Sequence, residues 1–103
     1  RAMGVDIKVL NQGDNATYPT SGKTAVCHYV LTVEGKEIDS SRKKGTPFSF
    51  KVGKGEVIRG WDEGILKMSV GERSIFTISS DFGYGPRGVP GAIPANATLV
   101  FDV

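Results

Sequence analysis

The stretch Gly53–Met68, GKGEVIRGWDEGILKM, limits what this chain can become. It holds the only tryptophan, Trp61, and the strongest helical pattern in the sequence. Ile58, Trp61, Ile65 and Met68 recur at helical spacing and make one apolar stripe. Arg59, Asp62, Glu63 and Lys67 fall on other faces. Gly60 and Gly64 stand four apart, so they also share a face. Each glycine costs a helix interior roughly 1 kcal/mol relative to alanine. A short helix with two of them cannot stand alone. Other elements must wrap it, and the bare positions predict a close approach. On this pattern alone, Trp61 is as readily a core residue as the floor of a pocket.

The 103 residues suit a single domain with one small core. With 39% apolar and 23% charged residues, the composition is that of a folded protein. A net charge of +2 is too small to imply a nucleic-acid or membrane surface, and we expect neither partner. No apolar run approaches the ~20 residues of a membrane-spanning helix, and no signal-peptide pattern is present. Cys27 is the only cysteine, so no internal disulfide forms. A lone thiol points to a reducing compartment, and we expect a cytoplasmic protein. Residues 1–3, Arg1–Ala2 ahead of Met3, read as an expression remnant or a disordered start. Two Asn-X-Thr sequences, at Asn15 and Asn96, read as chance matches to a glycosylation pattern.

Alternation over Val5–Leu10 predicts a half-buried strand. Asn11–Lys23 reads as a loop. Thr24–Val33 predicts one longer strand, with Cys27, Tyr29, Leu31 and Val33 on one face and Val26, His28, Val30 and Thr32 on the other. Cys27 should therefore be buried. Glu34-Gly35-Lys36 predicts a tight turn, and Glu37–Asp39 the returning strand of a hairpin. Ser40–Thr46 reads as a polar, basic loop or bulge. Pro47–Val52 resumes as a strand with Phe48, Phe50 and Val52 on one face. The helix follows, then a strand over Glu72–Ser79. Ser80–Pro94 is a long loop rich in glycine and proline, and Asn96–Val103 is the last strand, with Leu99, Phe101 and Val103 in phase. Hairpin spacing implies a mostly antiparallel sheet. The fold class is α+β, an antiparallel sheet beside one short α-helix.

Few residues offer conventional chemistry. His28 is the only histidine and has no partner cysteine or second histidine, so no metal site is expected. No nucleophile-elbow pattern exists. Gly53-Lys54-Gly55 lacks phosphate-loop spacing and reads as a turn. Arg42-Lys43-Lys44 reads as a solvated loop. The distinctive inventory is aromatic: Tyr29, Phe48, Phe50, Trp61, Phe76, Tyr84 and Phe101. These rings suit a core, yet Tyr84 sits in a loop, where packing does not demand one. A concave apolar site would use them, with Asp39 and the hydroxyls of Tyr29 and Tyr84 as its polar groups.

His28-Tyr29, Asp39-Ser40-Ser41-Arg42, Pro47-Phe48, Glu56-Val57-Ile58-Arg59-Gly60-Trp61, Met68-Ser69-Val70-Gly71, Tyr84-Gly85 and Ala97–Val103 form an ordered set through nearly the whole chain. In this set the chain resembles the FKBP-type peptidyl-prolyl cis-trans isomerases, which bind tacrolimus and rapamycin. The resemblance implies an isomerase domain over residues 4–103, with a twisted antiparallel sheet wrapped around the helix and a pocket between them. By match to the family, Tyr29, Asp39, Phe48, Val57, Ile58, Trp61, Tyr84, Ile93 and Phe101 would line that pocket. Asp39, Tyr84 and Trp61 would carry catalysis, and Phe50 would sit deeper or beside it. The chain departs from the family pattern at Val30-Leu31, in a hairpin one residue shorter, and at Ile38, Lys44, Val89 and Ala92. The family also continues a few residues past the final Asp-Val, so the last strand is expected to be cut short at Val103.

The implied reaction is rotation about an X-Pro amide, which breaks no bond and needs no cofactor or metal. The resemblance adds a backbone donor at Ile58 for one substrate carbonyl and the Tyr84 hydroxyl near a second. Expected partners are proline-containing peptides or proteins, tacrolimus and rapamycin, and a phosphatase or kinase recruited by the bound drug; a monomer is expected. Ser40–Thr46 and Phe82–Ile93 would meet the recruited protein. The alternative is a non-catalytic module that captures proline segments or macrocycles, or a domain of a longer co-chaperone.

Overall fold

A computed structural model describes residues 4–103; the expectation for residues 1–3 lies outside them. The strands are β1 (Val5–Asn11), β2 (Thr24–Cys27), β3 (Val30–Val33), β4 (Lys36–Ser40), β5 (Phe48–Lys51), β6 (Arg73–Ile78) and β7 (Leu99–Asp102). The helices are α1 (Ser41–Lys44) and α2 (Arg59–Gly64), with single 3-10 turns at Ile65–Lys67 and Ser80–Phe82. Five strands form an antiparallel sheet in the order β1-β6-β7-β3-β4, and β2 pairs with β5 in a separate ribbon. The α+β class holds, with α1 as an additional short helix.

Helix α2 lies against β6 through its two glycines. A Cβ added at Gly60 would stand 2.7 Å from Cδ1 and Cγ2 of Ile78. One added at Gly64 would stand 2.8 Å from Cε2 of Phe76. Both partners are fully buried. The predicted close approach is therefore made by alternate side chains of one strand, Phe76 and Ile78, meeting successive turns of one helix. The apolar stripe buries Trp61, Ile65 and Met68 on the same side. Leu31, Val33, Leu99, Phe101 and Val103 complete the core from β3 and the end of the chain.

The helix is shorter than the stretch that announces it. Gly53 and Gly55 have φ of 77° and 71°, outside the helical region, and the chain turns there instead. The Asp62 carboxylate accepts from the Gly53 and Gly55 N–H groups at 2.9 and 3.0 Å, tying that turn to the helix it precedes.

Thr24–Val33 is not one strand. The ladder stops at His28-Tyr29, where Ser41 takes the partner's place. Its hydroxyl accepts from the Tyr29 N–H at 2.7 Å, and its own N–H donates to the Tyr29 carbonyl at 3.0 Å. The predicted phase survives the break: Leu31 and Val33 are buried and Val26 is exposed. Cys27 is only half-buried. The hairpin turn is Glu34-Gly35, both with positive φ, and Lys36 already pairs with Val33. Ile38 is the extra residue of a bulge in β4. Beyond it the expected basic loop forms the single turn α1, capped by the Ser40 hydroxyl on the Lys43 N–H and closed by Gly45 at φ 75°. The last strand ends at Asp102, and Val103 still exchanges both backbone hydrogen bonds with Ser74 at 2.9 Å.

Two outcomes follow from this packing. Overpacking a core typically costs about 1–3 kcal/mol, against roughly 1 kcal/mol gained when a helical glycine becomes alanine. Ile78 is β-branched and enclosed, so it cannot swing aside. Urea unfolding of Gly60→Ala should show a net loss of about 1 kcal/mol, partly recovered by adding Ile78→Val. A variant as stable as its parent would show that these glycines do not set the helix–sheet distance. Burial pushes the Cys27 thiol up to about 11, so thiol labelling at pH 8 should run on the order of 10- to 100-fold slower than in denaturant. Equal rates would mean that the mouth of this strand is open to solvent.

Candidate functional site

A cavity of about 230 Å³ opens over Trp61. Tyr29, Asp39, Phe48, Val57, Ile58, Trp61, Tyr84 and Phe101, all anticipated from the sequence, line it together. Leu31 and Glu56 also line it and were not anticipated. Leu31 follows Tyr29 at strand period, and Glu56 directly precedes Val57, so both had a positional signal. Ile93 is not among the lining residues. It is buried, and its N–H and carbonyl bond the Val89 backbone at 2.8 and 2.9 Å, closing the loop below the rim. Phe50 lies beneath, stacked on Phe48 at 5.7 Å.

The floor is a cage of edge-to-face rings. The Trp61 centroid lies 5.3 Å from Phe101, 5.5 Å from Tyr29, 5.6 Å from Phe50 and 5.9 Å from Phe48. Each such pair contributes about 0.5–1.5 kcal/mol beyond its buried area. The cage fixes the indole plane, so the floor is formed before any ligand arrives. Among the described residues the Trp61 Nε1–H has no hydrogen-bond partner. An enclosed donor left unmet costs about 1–3 kcal/mol, and the ring contacts offset that cost.

The polar groups gather on one side. The Tyr29 hydroxyl donates to Asp39 Oδ2 at 2.6 Å. The Lys44 ammonium lies 2.9 Å from Asp39 Oδ1, which also accepts the Ser40 N–H at 2.9 Å. The bond from Tyr29, then that from Lys44, holds the Asp39 carboxyl below the usual carboxylate range. Burial, with Asp39 as a second cause, pushes the Tyr29 phenol up to about 12. Burial and then the Asp39 charge raise Tyr84 as well. Asp39 is thus an anion already engaged, with no proton to give near neutral pH. Further donors at the cavity are unspent among the described residues. The Ile58 N–H, just before α2, makes no hydrogen bond, and neither does the half-exposed Tyr84 hydroxyl.

The family model for FKBP-type peptidyl-prolyl cis-trans isomerases matches residues 15–103. The chain belongs to that family. It is 60% identical over 102 residues to FK506-binding protein 1 of Yarrowia lipolytica, covering 98% of this chain and 94% of that one. Peptidyl-prolyl cis-trans isomerase FKBP1A of Xenopus laevis is 54% identical over the same shares of each chain. Peptidyl-prolyl cis-trans isomerase Fkbp12 of Drosophila melanogaster is 51% identical, again over 98% of this chain and 94% of its own. The chain is an isomerase of this class.

A larger groove of about 920 Å³ lies elsewhere, between β2, the Thr17–Thr20 loop and the start of β6. It shares no residue with the ring-lined cavity, and the aromatic rings in its lining are those of Tyr18 and His28. Size does not make it the reaction site: it lacks the cage and both unspent donors. Among the described residues no group of three or more His, Cys, Asp or Glu side chains is placed to hold a metal ion.

The charge states set the pH response. The native Asp39 value is depressed, so the stabilisation from its contacts is complete above its unfolded value of about 4 and is lost as pH falls through the native value. The native Tyr29 value is raised, so its contribution holds below about pH 10 and fades as pH climbs towards 12. Isomerisation should therefore stay flat with respect to these groups between about pH 5 and 9. A bell-shaped profile inside that range, abolished by Asp39→Asn, would make Asp39 a proton-transfer catalyst and overturn this account.

Proposed function

We propose that this isomerase turns X-Pro amides in the cavity over Trp61, and that tacrolimus and rapamycin occupy the same cavity. The observation that carries the reading is a pre-formed aromatic floor flanked by two unused donors, the Ile58 N–H and the Tyr84 hydroxyl.

The barrier to peptide rotation is ~18–20 kcal/mol, because resonance holds the amide planar. That resonance separates charge, and water stabilises the planar form more than the twisted one. A wall of rings withdraws this solvation. Rotation then costs less, because the twisted amide has less charge to lose to the dry site. The proline ring lies on Trp61 in apolar contact with Tyr29, Phe48, Val57 and Phe101. The Ile58 N–H holds one substrate carbonyl still, so that the other side of the amide does the turning. The Tyr84 hydroxyl meets a second carbonyl. Asp39 orients the wall through Tyr29 and Lys44 and transfers no proton. No bond breaks, so neither a nucleophile nor a cofactor enters the mechanism.

A macrocycle of large apolar area needs only the same floor and a few polar anchors. The proteins that the drug complex would recruit, a phosphatase or a kinase, would meet the rim at Ser40–Thr46 and Phe82–Ile93. Lys44, Pro86, Arg87, Val89 and Ala92 set the charge and shape of that rim. Rim changes act on partner affinity without touching the floor, so phosphatase inhibition should fall further below that of a typical family member than drug affinity does. A monomer in a reducing, cytoplasmic compartment suits the single free thiol.

The test is a protease-free exchange measurement on a peptide with an apolar residue before proline. Wild type should accelerate exchange. Tyr84→Phe should lower kcat/KM by roughly two- to tenfold, the loss of one neutral hydrogen bond. Asp39→Val should lower it more, because it also frees Tyr29 and Lys44. Tight peptide binding with an uncatalysed rate would sink the enzymatic reading of this cavity and leave a capture module. Drug binding is read from Trp61 fluorescence; an unchanged signal and no heat of binding at micromolar drug would remove the drug from the cavity.

A further inference from the structure

We propose that Glu56 gives this isomerase a charge preference, favouring substrates that carry a lysine or arginine side chain close to the proline. The inference rests on the reading that the cavity over Trp61 receives the substrate proline.

Two acidic residues are among those that line that cavity, Asp39 and Glu56. Their situations differ. Asp39 is neutralised locally by Lys44 at 2.9 Å and accepts from Tyr29 and Ser40. Glu56 is exposed and forms no ion pair among the described residues. It is nevertheless held in place. Its Oε1 accepts the backbone N–H of Lys51 at 2.9 Å, at the end of β5. That bond ties the carboxylate to the end of β5 and leaves Oε2 without a partner among the described residues.

The rest of the lining is Tyr29, Leu31, Phe48, Val57, Ile58, Trp61, Tyr84 and Phe101, none of them charged near neutral pH. A fixed charge at the lip of a low-polarity cleft projects its field into the opening rather than into bulk water. Of the two acidic lining residues, Asp39 is paired with Lys44 and Glu56 is not. A substrate cation is therefore attracted near Glu56 and gains little near Asp39. The attraction acts on bound substrate and on the twisted amide alike, because neither moves the cation. It should lower KM and leave kcat nearly unchanged. For an exposed pair the gain in kcat/KM is about two- to fivefold at low salt, and it fades as the screening length shortens.

The experiment uses matched peptides with an apolar-Pro core and lysine, norleucine or glutamate placed in turn before and after it. Protease-free exchange is measured with wild type and Glu56→Gln, which keeps an oxygen acceptor for the Lys51 N–H. At one side of the proline, lysine should exceed norleucine by about two- to fivefold in kcat/KM, with glutamate below both. Glu56→Gln, or high salt, should bring the lysine-to-norleucine ratio towards one. A ratio of one in wild type on both sides overturns the inference, and so does a preference that Glu56→Gln leaves intact. Acceleration of no peptide at all overturns the reading of the cavity and this inference with it.

Discussion

The contact between α2 and β6 is the constraint on which the rest depends. Two side chains of the strand, Phe76 and Ile78, press into positions where the helix has no side chain, Gly64 and Gly60. The distance between helix and sheet is set there, at van der Waals contact. Trp61 is adjacent to Gly60, so its indole is carried to a fixed depth over the sheet, where Phe101 from β7 and Tyr29 just before β3 meet it edge-on. A larger residue at either glycine would lift the helix and open the cage. The two glycines that weaken the helix as an isolated element are what let it dock, and docking offsets the intrinsic cost.

The cavity separates shape from charge. Its floor is apolar and rigid because each ring is braced by others. Its polar groups lie at the rim and are mostly engaged with one another, through Tyr29, Asp39, Lys44 and Ser40. That division suits a reaction that moves no proton. A dry floor changes the solvation of the amide, and two free donors hold the ends of the turning unit. Glu56 is the exception, a charge at the rim that no described cation answers.

Several elements were legible before the fold. The period of two places Leu31 with Val33 and Leu99 with Phe101 on shared faces, and all four are buried. Most of the cavity's lining was named from the ordered family motifs. The misses have specific causes. Helix α1 is hidden in the sequence because Arg42-Lys43-Lys44 has no apolar stripe, although Ser40 and Gly45 carry cap signals on either side of it. Thr24–Val33 looks continuous in the sequence because its alternation never falters. It breaks because Ser41, far along the chain, bonds both backbone groups of Tyr29. Ile93, expected at the cavity wall, is buried and bridged to Val89.

The sequence by itself determined the alternation of the strands, the bare face of the central helix, the aromatic inventory and the family. These are local or additive properties, written in spacing and residue type. Only the tertiary structure decided which rings meet, where Asp39 spends its charge and where Glu56 does not. Those outcomes depend on distances between segments tens of residues apart, such as Tyr29 with Trp61 and Phe101. Spacing along the chain constrains which face a side chain joins. It carries no information about which partner stands across from that face, because that is set by how the helix and the two sheets close on one another.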